Sequence, residues 1–184
     1  MQGISFVPED RLGTGLAANM SLSDNIILKD YRTKKSSRFA LIKYKNVRQR
    51  AKEIVKKYDV SVTDISAPVR LMSGGNLQKV LLAREIEADP KVLVAAYPSR
   101  GLDVAAAEAV FNMILDLKAK GCAVLIITED LDTLLKYSDR IMVLYRGEIM
   151  GMCQNQNVSV TDIGMMMMGT KLEEVKIYET YGHF

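Results

Sequence analysis

"LMSGGNLQKVLLARE", Leu71 to Glu85, is the segment that sets the architecture of this chain. Ser73 carries an oxygen suited to capping a helix that begins directly behind it. Gly74 and Gly75 have no Cβ, so a phosphate oxygen can approach their backbone N–H groups closely. The mouth of a helix adds a partial positive charge aimed at the same point. Asn76 and Lys79 offer further donors near the first turn. Taken together, Ser73, Gly74, Gly75 and Asn76 make an anion cradle; the plainer alternative is a capped turn with two glycines.

Working outward, the helix led by this mouth is predicted from Gly74 to Ala88, stopped by Asp89-Pro90. Behind it "VLVAAYPSRGLDV", Val92 to Val104, opens as a buried strand and ends in a tight turn with an exposed Asp103. In phosphate-handling folds such strand ends usually present carboxylates to a metal and a water; here Ala95, Ala96 and Tyr97 stand there instead. A helix follows over Ala105–Lys120, with Val110, Phe111, Ile114 and Leu117 facing inwards. Cys122–Thr128 is a continuous apolar run, as expected of a parallel strand buried on both faces. Leu131–Tyr137 reads as a short helix. Arg140–Tyr145 and Glu148–Met152 read as a hairpin across Arg146-Gly147, and a last helix covers Thr161–Met168. Towards the N-terminus a strand is expected at Gly3–Val7 and a capped helix at Ser21–Leu28. A mobile basic loop is expected at Lys29–Ala40, then a helix over Asn46–Tyr58 with Asn46 as its N-cap. The pattern is α/β, with a mostly helical part over residues 1–90, an α/β part over 91–168 and a tail over 169–184.

The 184 residues, 48% hydrophobic and 26% charged with a net charge of +3, describe an ordinary globular protein. The charge is unevenly spread: from Lys29 to Lys57 there are twelve Lys or Arg against two acids, Asp30 and Glu53. A solvated helix face and a basic loop account for it; the alternative is contact with a phosphate-rich or membrane surface. No nucleic-acid partner is expected. Cys122 and Cys153 read as buried thiols of a reducing compartment. No signal peptide is visible after Met1, and no apolar run approaches the roughly 20 residues that cross a bilayer.

Three weaker patterns carry little. "GTGLAA", Gly13 to Ala18, fits a dinucleotide pattern but lacks the preceding strand and the acid about 20 residues on, where Arg38 stands. It reads as a flexible turn. His183, the single histidine, is the second residue from the end of the sequence, in an irregular tail without the held geometry a catalytic base needs. The run Met165–Met168 reads as core packing of the last helix, or else as an adaptable partner patch.

"MSGGN" followed by "QK" resembles the signature motif of ATP-binding cassette (ABC) ATPases, in the asparagine form of simple-sugar and nucleoside importers. The likeness runs over residues 3–168. "GISFVPEDR" and Gly15-Leu16 are similar to the segment around the family's Q-loop, and "PSRGLDV" resembles the D-loop. "VLIITEDLD", Val124 to Asp132, lies where the switch histidine belongs, and "SDRIMVLYRGEIMG" resembles the closing strand and hairpin. The chain looks most like the second of the two cassettes such importers carry. "AAYPSRGLD" is closer to the nucleoside branch.

The resemblance implies an α/β, P-loop NTPase-like ABC ATPase cassette lacking its N-terminal P-loop part, with a helical signature subdomain and a parallel sheet core. It implies that the family's metal-holding aspartate falls at Ala96, its catalytic glutamate at Tyr97, its switch histidine at Glu129 and its Q-loop glutamine at Glu9. No Gly-Lys dipeptide supplies a P-loop lysine. Met1 would then begin a truncated piece, one product of a split gene or a shortened reading frame. Phosphoryl transfer depends on positioned charge, so the chain is expected not to hydrolyse ATP unaided. ABC cassettes work head to tail, which implies that Ser73, Gly74, Gly75 and Asn76 touch the γ-phosphate of ATP gripped by a partner cassette, with Asp103 shaping the same interface. Mg²⁺ would enter only through that partner. Transmembrane permease subunits and a peripheral place on the cytoplasmic face of the plasma membrane follow from the same resemblance. The competing expectations are a non-catalytic anion-binding or regulatory module and a non-functional gene fragment, whose opened sheet would invite aggregation.

Overall fold

The computed structural model describes residues 3–33, 36–38 and 41–175, so His183 and the end of the tail, residues 176–184, lie outside the described residues. The chain forms two compact units, Met1–Ile127 and Thr128–Phe184. The expected boundary at 90/91 falls inside the first unit, because the first strand belongs with the strands beyond it.

In the first unit, β1 (Ile4–Val7) leads into a tight turn over Arg11–Gly15, and α1 (Leu22–Ile27) starts on Ser21, whose Oγ accepts from Asp24 N–H at 3.0 Å. The Arg11–Gly15 turn is not loose: Asp10 Oδ1 accepts from Leu12 and Gly13 N–H at 3.2 and 2.8 Å. The region expected as a mobile loop, Lys29–Ala40, contains β2 (Ser37–Arg38), which pairs antiparallel with β3 (Leu41–Ile42) just beyond it. Asp30 organises the approach to it, accepting from Ser36 Oγ at 3.1 Å and pairing with Arg50. α2 (Tyr44–Lys57) buries Val47, Ala51 and Ile54 on one face. It starts two residues before the expected cap. Lys43 occupies the cap position, where its side chain makes no capping bond to the helix, and Asn46 lies in the first turn, its N–H bonded to the Lys43 carbonyl at 2.9 Å.

α3 (Gly74–Ile86) is the hub of this unit, packing against α1, β1 and the helix that follows. It is buried over most of its circumference, with Leu77, Val80, Leu81, Leu82 and Ala83 at or near zero exposure. A helix enclosed in this way carries apolar residues on several faces rather than one stripe. Its buried charge is matched locally: Glu85 pairs with Arg84 and Lys29, and Arg84 also donates to the Gly15 carbonyl at 2.8 Å. Leaving either ion unpaired would cost several kcal/mol, roughly 3–5 by comparison with other buried pairs.

β4 (Val92–Ala96), α4 (Val104–Ala119) and β5 (Ala123–Ile127) complete the unit. The sheet is parallel in the order β1-β4-β5, with Ile4 opposite Val92 and Val92 opposite Ala123. α4 buries Val110, Phe111, Ile114 and Leu117, the four positions its spacing predicts. The burial of β5 on both faces does not hold. Leu125 and Ile127 are 48% and 44% exposed, and on the same face of β1 Ile4 and Phe6 are 61% and 51% exposed. Ser5, Val7, Leu93 and Ala95 point the other way and are buried. The apolar run of β5 thus records a face that nothing among the described residues covers.

The second unit begins with α5 (Leu131–Tyr137), capped by Asp130, and continues with the antiparallel pair β6 (Arg140–Tyr145) and β7 (Glu148–Gln154). The turn is the predicted Arg146-Gly147, both with positive φ (48° and 86°). Two consecutive positive φ values suit the right-handed twist of a two-residue hairpin. α6 (Val160–Met167) has a capping box between Ser159 and Asp162. The core here is Ile141, Val143, Met150, Ile163, Met166 and Val175. The methionine run divides: Met166 is fully buried, whereas Met167 and Met168 are 39% and 74% exposed. Cys122 is buried in the first unit and Cys153 half-buried in the second, and neither is in a disulfide. Among the described residues no helix is long and apolar enough to cross a membrane.

Candidate functional site

A groove of about 500 Å³ in the first unit brings together the mouth of α3 and the turn leading into α4. It is lined by Ser73, Gly74, Gly75, Asn76 and Lys79 on one side and by Gly101, Leu102, Asp103 and Ala106 on the other. All five residues singled out from the sequence, Ser73, Gly74, Gly75, Asn76 and Asp103, lie in this one place, although about thirty positions separate the two segments. Contact between α3 and α4 closes the floor. A Cβ on Gly75 would stand 3.0 Å from the Cβ of Ala106, so the second glycine is also a packing requirement.

Ser73 is the N-cap of α3, with φ −65° and ψ 157°. Its Oγ accepts from the Asn76 side-chain amide at 2.9 Å and, at 3.5 Å, weakly from the Asn76 backbone N–H. A hydroxyl that accepts in this way keeps its own proton for another acceptor. The Asn76 side-chain oxygen is taken by the N–H of Ser61 at 2.7 Å. Asn76 therefore braces the mouth against the loop after α2, and little of it remains for a ligand. The N–H groups of Gly74 and Gly75 meet no acceptor among the described residues. They are the open donors of a helix N-terminus.

Lys79, read from sequence as a further anion donor, is engaged elsewhere. Its Nζ donates to the Asp59 carbonyl at 2.7 Å and lies 3.3 Å from the Asp59 carboxylate. Asp103 is the N-cap of α4, its Oδ1 accepting from Ala106 N–H at 2.8 Å. The charged side chains lining the groove are thus two carboxylates, Asp59 and Asp103, and one lysine. The donors fit the oxygens of a phosphate, but the charge balance does not favour capturing a free polyanion. Attraction comes from the α3 dipole and from Arg11, whose Nη1 lies 3.6 Å from where a Cβ on Gly74 would sit.

At the end of β4 a methyl group and a phenol, Ala96 and Tyr97, occupy the positions the resemblance gives to acids. Tyr97 has φ 49°, a left-handed conformation that non-glycine residues adopt at a cost of about 1–3 kcal/mol. Its N–H is held by the Ile127 carbonyl at 2.8 Å. Among the described residues no three His, Cys, Asp or Glu side chains come together to hold a metal ion. The residues present do not fit a resident Mg²⁺.

Two site residues escaped the sequence. Arg11 donates Nε–H to the Gln78 side-chain oxygen at 2.6 Å, and Nη2–H to the Arg100 carbonyl. Arg100 pairs with Glu9 and stacks over the Tyr97 ring at 5.6 Å. Nothing in the spacing joins positions so far apart. The short stretches "EDR" and "PSRG" around them were the visible signal.

No protein-family model matches the chain. It is 41% identical over 171 residues to the glucose import ATP-binding protein TsgD13 of Haloferax volcanii, covering 91% of this chain and 31% of that protein. It is 34% identical over 173 residues to the nucleoside import ATP-binding protein NupA of Lactococcus lactis, covering 94% of this chain and 34% of that protein. A ribose import ATP-binding protein of Streptomyces avermitilis matches at 39% over 149 residues, 81% of this chain and 28% of that protein. The chain thus spans about a third of the length of these relatives, 28–34%. Among solved structures, a dimeric ATP-binding cassette in a post-hydrolysis state, bound to ADP and Pi, superposes with a TM-score of 0.69 at 22% identity. That match covers 85% of this chain and 65% of that one. A dimeric bacterial ABC transporter cassette gives 0.68 over the same shares. By sequence the chain is a homologue of a C-terminal part of sugar and nucleoside import ATP-binding proteins, and by fold it is an ATP-binding cassette of the ABC type.

Proposed function

We propose that the chain serves as part of an importer's ATP-binding subunit, offering the mouth of α3 to ATP held by a second cassette. Ser73 Oγ and the N–H groups of Gly74 and Gly75 bind γ-phosphate oxygens. Asn76 holds the mouth open by bracing it against Ser61. Asp103 sets the start of α4 beside it. The cargo is a simple sugar or a nucleoside, as in the relatives' names. The subunit works with transmembrane permeases, peripherally, at the cytoplasmic face of the plasma membrane. Mg²⁺ arrives with the partner's nucleotide.

The observation that carries this reading is the groove itself: unpartnered helix-mouth donors beside two carboxylates and a single, already paired lysine. Such a surface is a poor trap for a free triphosphate and a suitable lid for one whose charge another chain neutralises. The end of β4 supports the second half. With Ala96 and Tyr97 at that strand end, no carboxylate stands there to hold a metal or orient a water, and loss of one positioned group commonly costs about 3–4 kcal/mol of transition-state stabilisation.

Mixing the chain with a P-loop-bearing cassette of the same importer tests the reading. Turnover of that cassette should rise, and Ser73→Arg should abolish the gain by filling the mouth. An undiminished gain with Ser73→Arg refutes the donated mouth. A non-catalytic anion-binding module is disfavoured because three of its basic side chains, Lys29, Arg50 and Lys57, are already paired within the chain, with Glu85, Asp30 and Glu87.

A further inference from the structure

We infer that Arg11 and Arg100 form a crossed latch that fixes the turn carrying Asp103 against the mouth of α3 without any nucleotide. The latch has two arms running in opposite directions between the same two segments. From the Arg11–Gly15 turn, the Arg11 guanidinium reaches α3 through Gln78 and the 97–103 turn through the Arg100 carbonyl. From the 97–103 turn, the Arg100 guanidinium reaches back to the Glu9 carboxylate and covers the Tyr97 ring. Three segments far apart in sequence are thereby joined beside the groove.

The two arms differ in strength. Arg100 and Glu9 are both well exposed, with side chains 60% and 44% accessible, so solvent screens that pair. Arg11 is the stronger arm. Its guanidinium is fixed by two neutral oxygens, partly withdrawn from water, and burial lowers its pKa from the usual value. A planar fork that serves two acceptors at once is chemistry lysine cannot copy. Gly74 is its close neighbour, since a Cβ there would stand 3.6 Å from Nη1, in ordinary contact. The Gln78 Nε2 group, buried without a partner among the described residues, lies on the same side chain that receives Arg11. Packing encloses Gln78, but its side-chain amide is hydrogen-bonded from one side only, by Arg11.

Arg11 is accordingly a positioning residue for the groove, and its value to a partner cassette rests on the reading proposed above. The latch is testable apart from that reading, by amide hydrogen exchange on the full chain with no nucleotide or partner present. Arg11→Met should speed exchange across 97–106 and at 73–77 by about tenfold or more, with β1 and β4 amides unchanged. Arg11→Lys should restore less than half of the protection, because one ammonium cannot serve both oxygens in that geometry. Arg100→Met, a surface change that leaves the Arg100 carbonyl in place, should give a smaller rise confined to 97–103. Unchanged exchange at 97–106 in Arg11→Met overturns the latch, and so does full protection in Arg11→Lys. If Arg11→Met instead loosens the whole unit, Arg100→Met decides: no local rise there overturns the latch. The outcomes separate from the function assay, since loosened amides with undiminished partner stimulation would leave the latch standing and count against the donated mouth.

Discussion

Replacing Asp103 by alanine removes one defined interaction at the groove, the 2.8 Å bond from Ala106 N–H that starts α4. The side chain is exposed, so no core is disturbed. Loss of such a cap costs about 0.5–2 kcal/mol, and loss of a negative charge at a helix N-terminus about 0.3–1 kcal/mol. The two overlap in one carboxylate, which gives about 1.5 kcal/mol for Asp103→Ala and about 0.5 kcal/mol for Asp103→Asn, whose oxygen still caps. For a chain of this size about 1.5 kcal/mol lowers Tm by roughly 3–6 °C. Thermal unfolding followed by circular dichroism at low salt reads both. Asp103→Ala should fall by that amount, and Asp103→Asn by about a third of it. Equal losses would mean that charge, rather than the cap, holds the turn. No loss in Asp103→Ala would refute the capping geometry altogether. Adding 0.5 M salt should shrink the asparagine effect and spare most of the alanine effect, since salt screens the dipole term.

Three further outcomes follow from other parts of the molecule. A Cβ on Gly13 would stand 2.1 Å from Asp10 Oδ2, so Gly13→Ala should cost about 1 kcal/mol by expelling that cap; denaturant titration should find Gly13→Ala, Asp10→Ala and the double variant nearly equal, and additive losses would contradict it. The open face of the sheet, with Ile4, Phe6, Leu125 and Ile127 exposed, should drive self-association of the chain alone; Phe6→Glu with Leu125→Lys should reduce light scattering without lowering Tm, and unchanged scattering would count against that face. Burial, and then a bond to Glu87, raise the Tyr58 hydroxyl from 10.0 to about 12. Its folded pKa lies above the ordinary value, so its contribution to stability is whole below about pH 10 and lost between about pH 10 and 12; phenolate absorbance compared with Tyr58→Phe should show that late titration, and a midpoint near 10 would refute it.

Local chemistry explains what the sequence made legible. The helix over 104–119 announced itself because Val110, Phe111, Ile114 and Leu117 repeat at helical spacing and only one face is buried. The mouth at Ser73 was readable because capping is decided within four residues. The hairpin at Arg146-Gly147 was readable because its turn needs two positive φ values in adjacent positions. Contacts that close over long stretches of chain were hidden. Lys79 looked like a free donor until Asp59, twenty positions earlier, came round to meet it. Arg11 and Arg100 lie 89 positions apart and meet only because β1 and β4 are neighbours in the sheet. The apolar texture of β5 spoke correctly of a parallel strand. It could not reveal that its outer face stays open, because hydrophobicity records what a surface would bury and is blind to whether a neighbour is there. Asn46 failed as the cap for a smaller reason. The helix gains its first turn from Tyr44 onward, and a polar residue two places inside is still compatible with it.

A photoreactive ATP analogue labelled at the γ-phosphate, added with a P-loop-bearing cassette of the same importer, probes the claim at its centre. Mass spectrometry should find the label on residues 73–76 of this chain, dependent on the second cassette and absent from Ser73→Arg. Labelling that bypasses this helix mouth while the second cassette is saturated would contradict the account.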